Sequence, residues 1–149
     1  MMLKGIDPVL TPDLLRLLAA MGHGDDLALV DANHPAEAIA ADTASGVLVR
    51  LPGLSLGRVA RAILTLLPID DFEPDPIRRM EVVGDPAAIP EVQVEVIAEV
   101  SALAPRALPV GGLGRHAFYA AARRAFAIVQ VGDPRAYGCF LLRKGVVFG

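Results

Sequence analysis

The sequence predicts an α/β fold: a single three-layer α/β/α domain, residues 1–149, with a mixed, mostly parallel sheet at its centre. Three observations carry this. Short apolar runs of strand length alternate with amphipathic stretches of helix length along the whole chain. The runs at 27–30 and 126–131 are apolar almost without interruption, as strands covered on both faces are. No internal repeat or low-complexity tract divides the 149 residues, a length that fits one domain.

Each element follows in order. Thr11-Pro12-Asp13 opens the first helix with a hydroxyl cap, a proline at the first helical position and an acid in the positively polarised first turn. Leu14, Leu17, Leu18 and Met21 recur at helical spacing and form its buried face, and Gly22 offers the left-handed conformation that stops it. A strand from Leu27 to Val30 delivers Asp31 at its carboxyl end, and Asn33-His34-Pro35 turns the chain into a short Ala-rich helix, Pro35 to Ala41. Gly46 to Arg50 reads as the second strand. Ser55 caps a helix whose Val59, Ala62, Ile63 and Leu66 share one face while Arg58 and Arg61 point outward, until Pro68 ends it.

The acids and prolines from Ile69 to Arg79 show no period and read as a loop, followed by a strand at Met80 to Val83 and a turn at Gly84-Asp85-Pro86. Pro90-Glu91 opens a third helix that runs to Leu103, and Ala107 to Val110 is a further strand. Gly111-Gly112-Leu113-Gly114 turns the chain into a helix from Arg115 to Arg124. Phe126 to Val131, the densest apolar run, is predicted to be a central strand ended by Gly132-Asp133-Pro134, and Phe140 to Arg143 adds the last one.

Composition limits the partners. A hydrophobic fraction of 54% and a mean hydropathy of +0.49 are high, yet no run approaches the roughly 18 residues of a membrane helix. The surplus apolar surface therefore points to subunit interfaces and an oligomer, with no membrane partner. Lys4 and Asp7 lie early and Pro8 and Pro12 interrupt the start, so no secretory leader is read there and cytoplasmic residence is the expectation. Cys139 is the one cysteine, which leaves no intrachain disulfide and no Cys-rich metal site. A net charge of −3, with two lysines, argues against nucleic acid.

Four constellations carry chemistry. His23, in the turn after the first helix, and Asp31, at a strand end, offer a general acid/base pair, although both residue types also serve as caps and turn formers. His34 does not complete a metal-ligand spacing with them, and as a loop histidine it is expected at the surface. Gly53-Leu54-Ser55-Leu56-Gly57 spells a nucleophile elbow, with Asp70 and His116 following in triad order, but Ser55 is accounted for as a helix cap and Pro52 interrupts the approach. The glycine run 111–114 lacks a phosphate-loop signature; behind it Arg115 and Tyr119 share one helix face and present a guanidinium and a phenol to sugar or carboxylate oxygens. Tyr137-Gly138-Cys139 reads as a turn with a half-buried tyrosine and a small apolar thiol.

These places fall in the order of a known family. Leu3-Lys4, Leu14-Leu15, Met21-Gly22-His23-Gly24-Asp25, Asp31-Ala32-Asn33 with Pro35-Ala36, Ala117-Phe118-Tyr119, Ala125-Phe126-Ala127-Ile128-Val129, Tyr137-Gly138 and Leu141-Leu142-Arg143-Lys144-Gly145 together resemble the ribose pyranase and fucose mutarotase (RbsD/FucU) family, nearer its fucose branch. The resemblance implies a cytoplasmic isomerase that interconverts cyclic forms of a free monosaccharide such as fucose or ribose, with no metal and no cofactor. It implies a ring-built homo-oligomer, a decamer among the sizes it allows, with sites at subunit interfaces. His23 would be the acid/base and Tyr119 a second catalytic group; Asp31, Arg115, Tyr137, Gly138 and Cys139 would bind substrate, the 137–139 segment reaching it from a neighbouring subunit. Three departures bear on the substrate: Cys139 stands where the family has Asn, His34 where the fucose branch has an aromatic residue, and the glycine run 111–114 replaces a more polar lead. A sugar-binding or transport-accessory protein without turnover is the alternative that Cys139 keeps open, and a small serine hydrolase using Ser55 is the remote one.

Overall fold

A computed structural model describes residues 3–104 and 106–149. Its elements run α1 (Pro12–Ala20), β1 (Asp26–Val30), α2 (Ala36–Ala40), β2 (Val47–Leu51), α3 (Leu56–Leu64), β3 (Ile77–Met80), α4 (Glu91–Leu103), β4 (Val110–Leu113), α5 (Arg115–Arg123), β5 (Ala127–Val131) and β6 (Cys139–Arg143). The six strands lie in the order β2-β5-β1-β6-β3-β4. Strand β6 runs antiparallel to both of its neighbours, and the other pairings are parallel, so the mixed, mostly parallel sheet is as expected.

Period-two alternation assigns the two faces. Leu27 and Leu29 pack with Val129, Phe140 and Leu142 against α1, α3 and α4, while Ala28 and Val30 pack with Ile128, Leu141 and Cys139 against α2 and α5. Both faces of the sheet are therefore apolar and covered, which is why these strands read as unbroken hydrophobic runs.

Four expectations are corrected. The first helix stops at Ala20 and Gly22 is not left-handed; Gly24 is, at φ +88. The Lys144 ammonium donates to the carbonyls of Leu18 and Met21 and so satisfies the helix end from outside. Leu66 lies beyond the end of α3 and is exposed rather than part of its buried face. The strand expected at 80–83 occupies 77–80 instead, hidden in the sequence by Arg78 and Arg79. Those side chains find acceptors inside the fold, Arg78 in Asp26 and Arg79 in the carbonyls of Pro86 and Ala88 and the side-chain amide oxygen of Gln93.

The strand expected at 107–110 and the glycine turn behind it are in fact one edge strand, Val110–Leu113. Its glycines answer to crowding. A Cβ on Gly111 would come within 3.0 Å of the Asp75 side chain, and one on Gly112 within 2.7 Å of Glu81.

Candidate functional site

The parallel strands end on one side of the sheet, and a cavity of about 280 Å³ opens there, of a size for a small ligand. Asp31 follows β1, Met80 ends β3, Arg115 and Tyr119 follow β4, and Tyr137 and Cys139 enter the antiparallel β6; all of them line it. Such a place, at the carboxyl ends of strands where the sheet changes direction, is where α/β sheets bind ligands.

Asp31 is buried and held by backbone. Its Oδ1 accepts from the amides of Asn33 at 2.9 Å and His34 at 3.1 Å, and its Oδ2 from the amide of Gly138 at 2.8 Å. Burial pushes this carboxyl above its ordinary range, against the pull of those donors. Of a carboxylate's roughly four acceptor positions these amides take three, and the weak Cys139 thiol donor, 3.7 Å from Oδ2, takes the fourth, where a ligand hydroxyl would compete with it. Gly138 makes the approach possible, since a Cβ there would meet Asp31 at 3.1 Å and Leu56 and Val92 at 3.2 Å.

Tyr137 takes the left-handed conformation, φ 65, that places the Gly138 amide on Asp31. The conformation is fixed from outside the loop: the fully buried Gln93 donates to the carbonyls of Tyr137 and Met80, and the Val83 amide donates to the Tyr137 hydroxyl. Further along the same loop, Asp133 accepts from the Leu56 amide and from Arg135, which also forks onto Glu95. The Arg135 guanidinium holds the Asp133 carboxyl down at about 2. Across the cavity, Arg115 Nε donates to the Tyr119 hydroxyl at 3.3 Å, with the guanidinium 5.5 Å from the ring centroid.

Of two further side chains in this wall, His34 departs from expectation and Cys139 is the buried thiol that was expected. His34 is buried rather than exposed at the surface, edge-on to Phe118 and Tyr119, with Nδ1 3.6 Å from the Cys139 sulfur. Burial first, and the charge of Arg123 second, lower it to about 4, so it is a neutral imidazole at physiological pH. The Cys139 thiol, 3.7 Å from Asp31 Oδ2, is pushed up by burial and by that carboxylate. It is a thiol, not a thiolate, and not a nucleophile.

His23 lies at the other end of the sheet. Its Nε2 is 3.1 Å from Oδ1 of Asp70, and Phe72 stands edge-on at 5.0 Å. The turn that carries it is tied down on several sides. The Gly24 amide donates to the Lys144 carbonyl, the Lys144 amide to the Asp25 carbonyl, and the Gly22 amide to the Asp25 carboxylate. The Leu141 to Gly145 segment thus supplies both strand β6 and the clasp of the His23 turn.

Within one chain, then, the expected acid/base pair of His23 and Asp31 is not formed. The two flank β1, whose five residues alone span roughly 15 Å. The chain instead brings Asp31 together with Arg115, Tyr119, Tyr137, Gly138 and Cys139. The resemblance implied that 137–139 would reach the site from a neighbour, yet these residues sit on their own chain's Asp31, and His23 is the one that stands apart. Ser55 only caps α3, accepting from the Arg58 amide, while His116 is exposed and Asp70 belongs to His23, so no triad forms. Sequence reasoning missed Gln93, a polar residue within the apolar face of α4, and Asp70 as the partner of a histidine 47 positions earlier. The first carried a signal; the second did not.

Comparison with known proteins agrees over the whole length. The profile of the RbsD / FucU transport protein family matches residues 4–147. A curated L-fucose mutarotase of Histophilus somni is 34% identical over 145 residues, 97% of each chain. Among solved structures, protein Atu2016 superposes with a TM-score of 0.94 at 43% identity, covering 99% of this chain and 97% of that one. The fucose mutarotase of Streptococcus pneumoniae, solved in complex with L-fucose, superposes with a TM-score of 0.87 at 33% identity, covering 98% of this chain and 100% of that one. The two of these named for an activity are fucose mutarotases, and the family match spans both the His23 turn and the Leu141 to Gly145 clasp. The chain belongs to the RbsD / FucU family.

Proposed function

We propose that this protein is a monosaccharide mutarotase, an isomerase that opens and recloses the ring of a free sugar of the fucose or ribose type. In this reading it works as a homo-oligomer in which His23 of one subunit faces the Asp31 cavity of another, and it resides in the cytoplasm. The observation that carries the proposal is that the Asp31 cavity has groups fit to hold a sugar while burial keeps its own imidazole and thiol from carrying charge. His34 is held neutral, Cys139 is held protonated, and the half-exposed histidine sits on the far end of the sheet. Exposed apolar residues around that far end support the assembly: Phe72, 60% exposed, lies beside His23, Phe148, 78% exposed, lies beside Phe72, and Leu66 and Leu103 flank the adjoining groove. No helix among the described residues is long and apolar enough to cross a membrane. The names of the relatives agree, one an L-fucose mutarotase and one a fucose mutarotase with L-fucose bound.

The chemistry needs only proton transfer. The anomeric hydroxyl gives its proton to a base as the bond between the anomeric carbon and the ring oxygen breaks, and that oxygen takes a proton. The open aldehyde turns, the ring oxygen or another hydroxyl attacks the opposite face, and the proton transfers reverse. An imidazole serves both directions, and such transfer contributes roughly 10²- to 10⁴-fold. Asp31 and the Gly138 segment would orient hydroxyls, and the Arg115 and Tyr119 pair would hold the sugar and bring Tyr119 to a reacting oxygen.

The test is NMR magnetisation transfer between the anomeric protons of fucose and of ribose. Wild type should accelerate exchange for at least one of them, and His23→Ala should lose roughly 10²- to 10⁴-fold of that rate. Sugar binding without acceleration would make this a binding protein, and full activity in the variant would remove His23 from the mechanism.

A further inference from the structure

We infer that Asp70 is the positioning residue for His23, fixing the imidazole as its Nε2–H tautomer and leaving Nδ1 as the nitrogen that exchanges protons with the sugar. The inference rests on the reading of His23 as the acid/base, and its geometry is independent of that reading.

The burial is asymmetric in a telling way. The Asp70 side chain is 2% exposed and the His23 side chain 42%. A carboxylate serving only to neutralise a buried cation would have that cation buried with it; here the acid is hidden behind a histidine that stays open. Both bonds to the carboxylate fall on Oδ1, from His23 Nε2 and from the Phe72 amide at 3.1 Å each, while Oδ2 is covered and has no partner among the described residues. Burying a carboxylate with one oxygen unpaired is costly, and such cost tends to be kept where a neighbour's chemistry needs it.

The tautomer follows from the protonation of the acid. Burial pushes Asp70 up, but the Phe72 amide, His23 and the Glu73 backbone together outweigh it and the carboxyl lies below its ordinary range. An ionised carboxylate can only accept, so the proton between the two must sit on Nε2. No hydrogen bond to Nδ1 is made among the described residues. Around the dyad, Glu73 and Arg143 line the same opening, and Arg143 is drawn toward Asp26 at 3.5 Å. Backbone holds the acid in place: the Asp70 amide donates to the Arg143 carbonyl and the Gly145 amide to the Pro68 carbonyl.

The experiment reads the tautomer directly, by long-range ¹⁵N–¹H correlation of histidine-labelled protein in alkaline buffer, with His23 assigned from the spectrum of His23→Ala. Wild-type His23 should be in the Nε2–H form. Asp70→Asn, whose amide can donate to Nε2, should move it toward the Nδ1–H form and lower kcat roughly 100-fold, with KM changed less than about twofold. A wild-type ring in the Nδ1–H form would overturn the inference, whether or not the variant folds, and so would Asp70→Asn with unchanged tautomer and kcat. His23→Ala separates the two claims: if it is fully active, the acid/base reading fails, and if it is inactive while Asp70→Asn is not, only the role of Asp70 fails.

Discussion

The two ends of strand β1 are built for different work. At the carboxyl end Asp31, His34 and Cys139 are buried together, each pushed toward its neutral form by burial and held by backbone or packing. At the amino end His23 is half-exposed in a turn clasped by Lys144, with an ionised acid behind it. One end holds a carboxyl, an imidazole and a thiol whose charged forms burial disfavours; the other presents a half-exposed imidazole in an opening lined by Glu73 and Arg143. In the proposed function the catalyst joins the two by facing one end of one chain with the other end of the next.

That contrast can be broken or sharpened by substitution, and the largest effect is a pH effect at the carboxyl end. An unfolded histidine takes a proton near 6.5, whereas folded His34 resists until about 4, so between those values the unfolded state holds more protons and stability falls as pH falls. The loss should reach about 3 kcal/mol by pH 4. In His34→Phe this contribution should vanish, and denaturant titrations across the window should converge on or exceed wild type at the acid end; parallel profiles would show that His34 is not buried neutral.

The two ends also share a device, a glycine that lets backbone approach, and the cost of filling it should differ. At the amino end a Cβ on Gly145 would come within 2.8 Å of the backbone of Ile69 and Asp70, which cannot yield by a rotamer change. Gly145→Ala should cost about 2–3 kcal/mol in urea unfolding and disturb the His23 resonances. At the carboxyl end the nearest atoms to a Cβ on Gly138 are side-chain carbons at 3.1–3.2 Å, which can shift slightly. Gly138→Ala should therefore cost about 1 kcal/mol, yet weaken sugar binding through the displaced amide on Asp31. The reverse order of stabilities would mean that the clasp at the amino end is the softer of the two.

Much of this architecture was legible because local and global signals agree. Thr11 before Pro12 starts α1, and the runs at 27–30 and 127–131 are the paired centre of the sheet. Strands β3 and β4 were misplaced because their signals conflict: Arg78 and Arg79 look like solvent residues but find acceptors inside, and Gly111 and Gly112 look like a turn but yield space to Asp75 and Glu81. In the site, the members after strand ends were legible as a set. The pairing of His23 with Asp31 was not, because nearness in sequence was read as nearness in space across a strand that separates them. Asp70 was unreadable as the partner of His23, since only the Ile69–Lys144 bridge and the Gly145 crossing bring its loop there.

The central claim, that a working site joins the amino end of one chain to the carboxyl end of another, is tested most directly by subunit mixing. His23→Ala and Asp31→Asn should each be nearly inactive in the anomer-exchange assay. Refolded together from denaturant in equal amounts, they should recover about a quarter of wild-type activity, because random assembly gives that share of interfaces an intact His23 from one chain and an intact Asp31 from the other. A mixture no more active than the two variants assayed separately would contradict the account.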